Sequence, residues 1–249
     1  MLLSPNYIKK KKKSIYIFGD SHSKCFGKKS LNDNEYTLTN LYKSSTSMKG
    51  LTNTNSTLKY SNNIIKYLDK ISHNIFKERF ENICIFKFGQ VDIEYNIHYK
   101  IHNKKENIDV NTFIRTLVNN YINYILTLTN KYKNMRFIVN GINMPNVYNI
   151  NNYLLKRIIP KGKKLLYKVE YKTQFNWHSL FNKILLEECI NNKIPYFDLT
   201  KETTINNTIR KEFVGFDNHF SGGYDGESYD KYCTYQVFQK KLLEIIKKI

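Results

Sequence analysis

Short runs of β-branched and aromatic residues alternate along this chain with longer stretches of helical spacing, and this alternation constrains the fold most. The strand-like runs fall at residues 14–18, 35–41, 83–88, 135–140 and 194–199. Between them, Leu58, Ile64, Ile65, Leu68 and Ile71 recur on one broad helical face, as do Phe113, Leu117, Tyr121, Tyr124, Ile125 and Leu128. Residues 175–192 and the stretch from about 229 to the end read as two further helices, and Asp109 is placed to cap the helix at 113–132. Strand and helix in turn predict a parallel sheet covered on both faces.

The first strand stops at a particular turn. Ile15-Tyr16-Ile17-Phe18 is followed by Gly19-Asp20-Ser21-His22-Ser23. Gly19 permits a sharp turn, and Asp20 can tie it through its own carboxylate. Ser21 then lies at the carboxyl end of a strand, where open α/β sheets collect ligands. A serine becomes a nucleophile when a base reaches it. A candidate base stands near the other end of the chain, in Asp217-Asn218-His219. His22 adjoins the nucleophile and is read as a packing residue.

These two segments resemble the first and last blocks of the SGNH (GDSL-like) hydrolases. The resemblance spans roughly residues 14–247, and the order along the chain fits, nucleophile first and His with Asp late. It implies a three-layer α/β/α sandwich with a flavodoxin-like, parallel five-stranded sheet. Ser21, His219 and Asp217 would be catalytic, and the Ser21 N–H would be one oxyanion donor. Gly50, beyond the second strand, is the candidate for the second. The third block is Gly89-Gln90-Val91-Asp92, where the family usually has Gly-x-Asn-Asp. Gly89 and Asp92 match and would shape the mouth of the site, with Gly19 and Asp20. Val91 cannot donate, so Gln90 is the candidate third donor. This segment is similar to a divergent branch carrying Gly-Glu-Ile-Asp. Asp217 precedes His219 by two residues where the family has three, so Asp198 or a backbone carbonyl is an alternative support for the imidazole.

The 249 residues carry a formal net charge of +19, which by itself suggests an acidic partner. Alanine is absent, however, and Lys, Asn, Ile, Tyr and Phe are abundant. Residues with A/T-rich codons dominate, so genome composition accounts for much of the bias. Arginine, which forks onto phosphate and guanine, is scarce, and charge alone is thin support for nucleic acid. The organisation expected is a basic arm over residues 1–13 and a single domain over 14–249, with an irregular insertion near 143–174. No apolar run reaches the ~20 residues that span a bilayer, and the first residues do not read as a signal peptide. An intracellular (cytoplasmic) or particle-associated location is expected. Cys25, Cys84, Cys189 and Cys233 are scattered without metal-type spacing and read as reduced structural thiols.

No cofactor or metal is expected. Glu94, His98 and His102 stand at i, i+4 and i+8, which could align them on a helix, but their segment reads as too polar to hold one rigid. The Gly222-Gly223 stretch lacks the strand and the Lys-Ser/Thr ending of a phosphate loop. Three functional classes stay open. The first is a serine esterase or deacetylase acting on an acyl ester or acylated glycan. The second is a degenerate member of that fold that binds a glycan or a protein. The third is a basic nucleic-acid-binding protein.

Overall fold

The computed structural model describes residues 13–27, 35–53, 55–73, 81–147, 150–214, 219–220 and 234–248. In chain order the elements are β1 (Lys13–Gly19), β2 (Tyr36–Asn40), α1 (Met48–Thr52), α2 (Tyr60–Ser72), β3 (Glu81–Lys87), α3 (Val110–Lys131) and β4 (Met135–Asn140). There follow α4 (Ile150–Arg157), α5 (Tyr171–Asn191), β5 (Tyr196–Phe197), α6 (Thr200–Thr203), a small antiparallel ribbon of β6 (Thr204–Ile205) and β7 (Thr208–Ile209), and α7 (Thr234–Ile246).

The main sheet has five parallel strands in the order β2-β1-β3-β4-β5. Side chains alternate across a strand, and here both faces are apolar. Ile17 lies beside Ile85 and Ile85 beside Ile138 on one face; Phe18 lies beside Phe86 and Phe86 beside Val139 on the other. The aromatic face is covered by Met48 and Leu51 of α1, Ile64 and Leu68 of α2, Ile125 of α3, and Phe181 and Leu185 of α5. Phe26, Phe220, and Phe238 and Leu242 of α7 cover the isoleucine face. Two-sided burial explains why these strands read as continuous apolar runs. The result is a three-layer α/β/α sandwich.

Several boundaries differ from the expectation. Lys13 opens β1 and does not belong to the arm, because its N–H donates to the Glu35 carbonyl at 2.9 Å. The region expected as an irregular insertion contains α4 and the first turn of α5. It has its own small core of Ile150, Leu154, Ile158, Ile159 and Val169. Asp109 caps α3, its Oδ1 accepting the Thr112 N–H at 2.7 Å.

The largest correction concerns residues 90–103, read from sequence as too polar to form a rigid helix. They are helical, with wide turns at Asp92–Asn96 and Tyr99–Asn103. Ile93, Ile97 and Ile101 stand four apart and are all buried, which supplies the apolar support for the helix.

β1 is the strand at which the chain changes direction across the sheet, with β2 on one side and β3 on the other. A crevice opens at the carboxyl ends of the strands at such a point. Gly19 and Lys87 end β1 and β3 side by side there.

Candidate active site

Gly19 is required where β1 ends. A Cβ there would lie 1.8 Å from Ser23 Oγ and 2.7 Å from the Lys87 carbonyl oxygen. The chain then turns into a 3₁₀ helix, Ser21–Phe26, capped by Asp20, whose Oδ1 accepts the His22 N–H at 2.9 Å. The Asp20 N–H donates to the Lys87 carbonyl, which fastens the turn to β3. Ser21 is thereby the first residue of the helical turn, where an N–H has no intrahelical acceptor.

His219 arrives from the far end of the chain, 198 residues away in sequence, and its Nε2 lies 2.8 Å from Ser21 Oγ. Its backbone carbonyl accepts from Asn146 Nδ2, and the next residue, Phe220, is buried against Phe213 and Phe238. The His219 ring stacks on His22, centroids 4.4 Å apart and planes 22° from parallel. His22, expected only to pack and to point away from Ser21, is buried with its ring against the candidate base. Both groups of the expected nucleophile–base pair are together, within hydrogen-bond reach.

Solved structures share this architecture over nearly the whole chain. A protein described as a platelet activating factor from Streptococcus pneumonia matches 96% of this chain and 87% of its own, with a TM-score of 0.54 at 15% identity. A protein described as a GDSL-like lipase from Parabacteroides merdae matches 93% of this chain and 95% of its own, with a TM-score of 0.54 at 10% identity. A carbohydrate acetylesterase from Sinorhizobium meliloti matches 94% of this chain and 100% of its own, with a TM-score of 0.53 at 12% identity. This chain has the SGNH-hydrolase fold. No protein-family model matches the sequence, and no curated protein matches it.

Within the SGNH frame, the expected second and third oxyanion donors are occupied. The Gly50 N–H lies in α1 and donates to Ser47 Oγ at 2.9 Å, because Ser47 caps that helix. Gln90 is buried, and both hydrogens of its amide are used: Nε2 donates to Glu94 Oε1 and to the Asn143 carbonyl. Neither is positioned as a free donor. Val91 is the second residue of the helical run, and its side chain brings no polar atom. The loop after β2 is nonetheless tied to β1, since the Lys43 N–H donates to the Gly19 carbonyl at 2.9 Å.

Asp92 accepts the Met48 N–H at 2.6 Å and the Lys49 N–H at 3.4 Å, joining α1 to the third block. Gly89 has φ +113° and leaves room for Phe181. Asp198, the alternative support for the imidazole, is engaged elsewhere: Oδ2 accepts from Tyr196 Oη and Oδ1 from the Thr200 N–H, each at 2.9 Å. Asp217, the Gly222-Gly223 stretch, Cys233 and the arm over residues 1–12 lie outside the described residues.

Beneath the site lies a polar layer that the sequence reading did not anticipate. Lys87 is buried and donates to the Gly141 carbonyl and to Asn143 Oδ1, each at 2.9 Å. Burial lowers its pKa, and burial raises that of Asp20 to about 7, an effect the Lys87 charge partly offsets. His178 of α5 is held near 4 by burial, with Nδ1 2.7 Å from the Asn143 carbonyl. His98 bonds Gln174 Oε1 at 2.7 Å, and His102 Nδ1 accepts the Leu166 N–H. Among the described residues no group of three His, Cys, Asp or Glu side chains is arranged to hold a metal ion. Cys25, Cys84 and Cys189 are buried and unbridged. No described helix is long and apolar enough to cross a membrane.

Proposed function

We propose that this protein is a serine ester hydrolase, an esterase or deacetylase that removes an acyl group from a small ester or an acylated glycan. The observation that carries the reading is the 2.8 Å contact between His219 Nε2 and Ser21 Oγ at the carboxyl end of β1. The neighbouring folds described as a lipase and a carbohydrate acetylesterase support an acyl ester as substrate.

Ser21 Oγ attacks the acyl carbonyl carbon while its proton passes to His219 Nε2. The carbonyl oxygen becomes an oxyanion facing the N–H of Ser21. When the tetrahedral species collapses, the C–O bond to the leaving group breaks and His219 returns the proton to the departing oxygen. Water then repeats the sequence on the acyl-enzyme and releases the acid. Asp217 is the carboxylate proposed to orient His219 and to balance the imidazolium.

A second reading, a protein that keeps the fold and binds a glycan or protein partner without turnover, has one observation in its favour. Gly50 and Gln90 are both committed to other acceptors. Loss of one oxyanion donor costs ~10²–10³ in turnover, so this arrangement bears directly on rate.

Hydrolysis of p-nitrophenyl acetate and butyrate, run beside Ser21→Ala and with fluorophosphonate labelling, decides between them. Turnover and labelling that vanish in Ser21→Ala support the hydrolase. A folded protein with neither supports the binding reading.

A further inference from the structure

Resting on the reading of Ser21 and His219 as nucleophile and base, we propose that His22 is a positioning residue, holding the plane of the His219 imidazole by face-to-face stacking and coupling it to the buried carboxylate of Glu94. An imidazole that serves as base must aim one nitrogen at the hydroxyl, and an aromatic face against its own removes the rotation that would misdirect it.

The structure fixes His22 from both sides. Its N–H is held by Asp20 Oδ1 at 2.9 Å, its ring is buried, and its Nε2 lies 3.7 Å from Glu94 Oε2. Glu94 is in turn held by Gln90 Nε2 and lies 3.9 Å from His178 Nε2. A continuous line of contacts thus runs from the helix of residues 90–103 through Glu94 and His22 to His219 and Ser21. Sequence adjacency alone, Ser21 next to His22, could not show it.

The electrostatics favour the same role. Burial first, then the neighbouring charges of His219 and Lys87, hold the His22 pKa well below its ordinary value, so the ring is neutral in the working range. Among the described residues, the other ionisable groups around it include Asp20 at the turn, Lys24 on its own 3₁₀ helix, Lys87 at the end of β3, Glu94 on the adjoining helix and His178 on α5. A neutral aromatic face beside His219 favours the imidazolium that forms during attack, and the Glu94 carboxylate at the other edge of His22 favours it further. A second cation in that place would oppose it.

The test compares His22→Ala, His22→Phe and Glu94→Gln by kcat, KM and the pH dependence of kcat/KM. His22→Ala should lower kcat by about tenfold to a hundredfold with little change in KM. Its acid limb should move to lower pH, because the imidazolium has lost its partner. His22→Phe keeps the stack and should recover most of kcat. Glu94→Gln should also move the acid limb down, with a smaller loss of kcat. A merely structural role would change melting temperature and leave the limb in place. Should His22→Ala fail to fold, His22→Phe and Glu94→Gln carry the same comparison. Wild-type labelling by fluorophosphonate is the control that separates the two ideas. An unlabelled wild type overturns the reading of Ser21 itself. A labelled wild type, with wild-type kcat in folded His22→Ala or an unmoved limb in folded Glu94→Gln, overturns the role of His22.

Discussion

Gln90 and Asn143 bond each other twice: Gln90 Nε2 donates to the Asn143 carbonyl at 3.2 Å, and Gln90 Oε1 accepts the Asn143 N–H at 2.9 Å. The pair locks the loop after β4 to the start of the helix at residues 90–103. It also leaves the Gln90 amide without a hydrogen for an oxyanion, its other bond going to Glu94.

Gln90→Leu is accordingly expected to act on stability. It orphans the buried Asn143 N–H and takes one donor each from Glu94 and from the Asn143 carbonyl, which keeps His178 Nδ1, and should cost roughly 1–3 kcal/mol by denaturant unfolding. Turnover of the folded variant should fall less than tenfold. A loss of ~10²–10³ in kcat at unchanged stability would instead mark Gln90 as an oxyanion donor.

Gly89→Ala should be among the most destabilising single changes in the chain. Its φ of +113° is strained for any L side chain, and a Cβ would lie 2.4 Å from Phe181 Cζ and 3.0 Å from two further ring atoms. Strain and overpacking together predict a loss of about 2–4 kcal/mol, read from the urea midpoint. An unchanged midpoint would show that the loop and Phe181 relax together.

Asp92→Asn should loosen α1 from the third block. The carboxylate accepts Met48 N–H, Lys49 N–H and Asn96 Nδ2, and an amide would turn one acceptor into a donor facing an N–H. The expected cost is about 1–3 kcal/mol. Backbone hydrogen exchange at Met48 and Lys49 should accelerate more than at β3, and uniform acceleration would argue against a local tie.

Asp20 gives stability an unusual pH dependence. Burial raises its folded pKa from 3.8 to about 7, so between those values the native state keeps a proton that the unfolded chain has released. Stability contributed by this group therefore falls as pH rises from about 4 to 7 and is constant outside that window. Asp20→Asn can retain the acceptor for His22 and cannot titrate. Its stability relative to wild type should climb over that range by up to roughly 4 kcal/mol. Urea unfolding of both proteins at several pH values measures the gap, and a gap that narrows with pH would show that Lys87 governs the carboxylate instead.

Much of this was legible in the chain because local rules were obeyed locally. The strands around Ile17, Ile85 and Ile138 are buried on both faces, so their residues are uniformly apolar and easily recognised. Asp109 and its helix follow from capping and periodicity alone. Residues 90–103 were misread because Tyr, Asn and His dominate the segment, although Ile93, Ile97 and Ile101 carried the helical signal.

The sequence by itself determined the alternation of elements, the parallel sheet, and the placement of Ser21 just beyond the first strand. Each rests on contacts between near neighbours or on a periodic pattern. Only the tertiary structure decided which polar groups meet. It put His219 on Ser21, stacked it on His22, set Glu94 beside that ring, and gave the Gln90 amide to Asn143. The physical reason is that a hydrogen bond is directional and short. Its partner is chosen by how distant segments close in space, and sequence spacing carries no record of that choice.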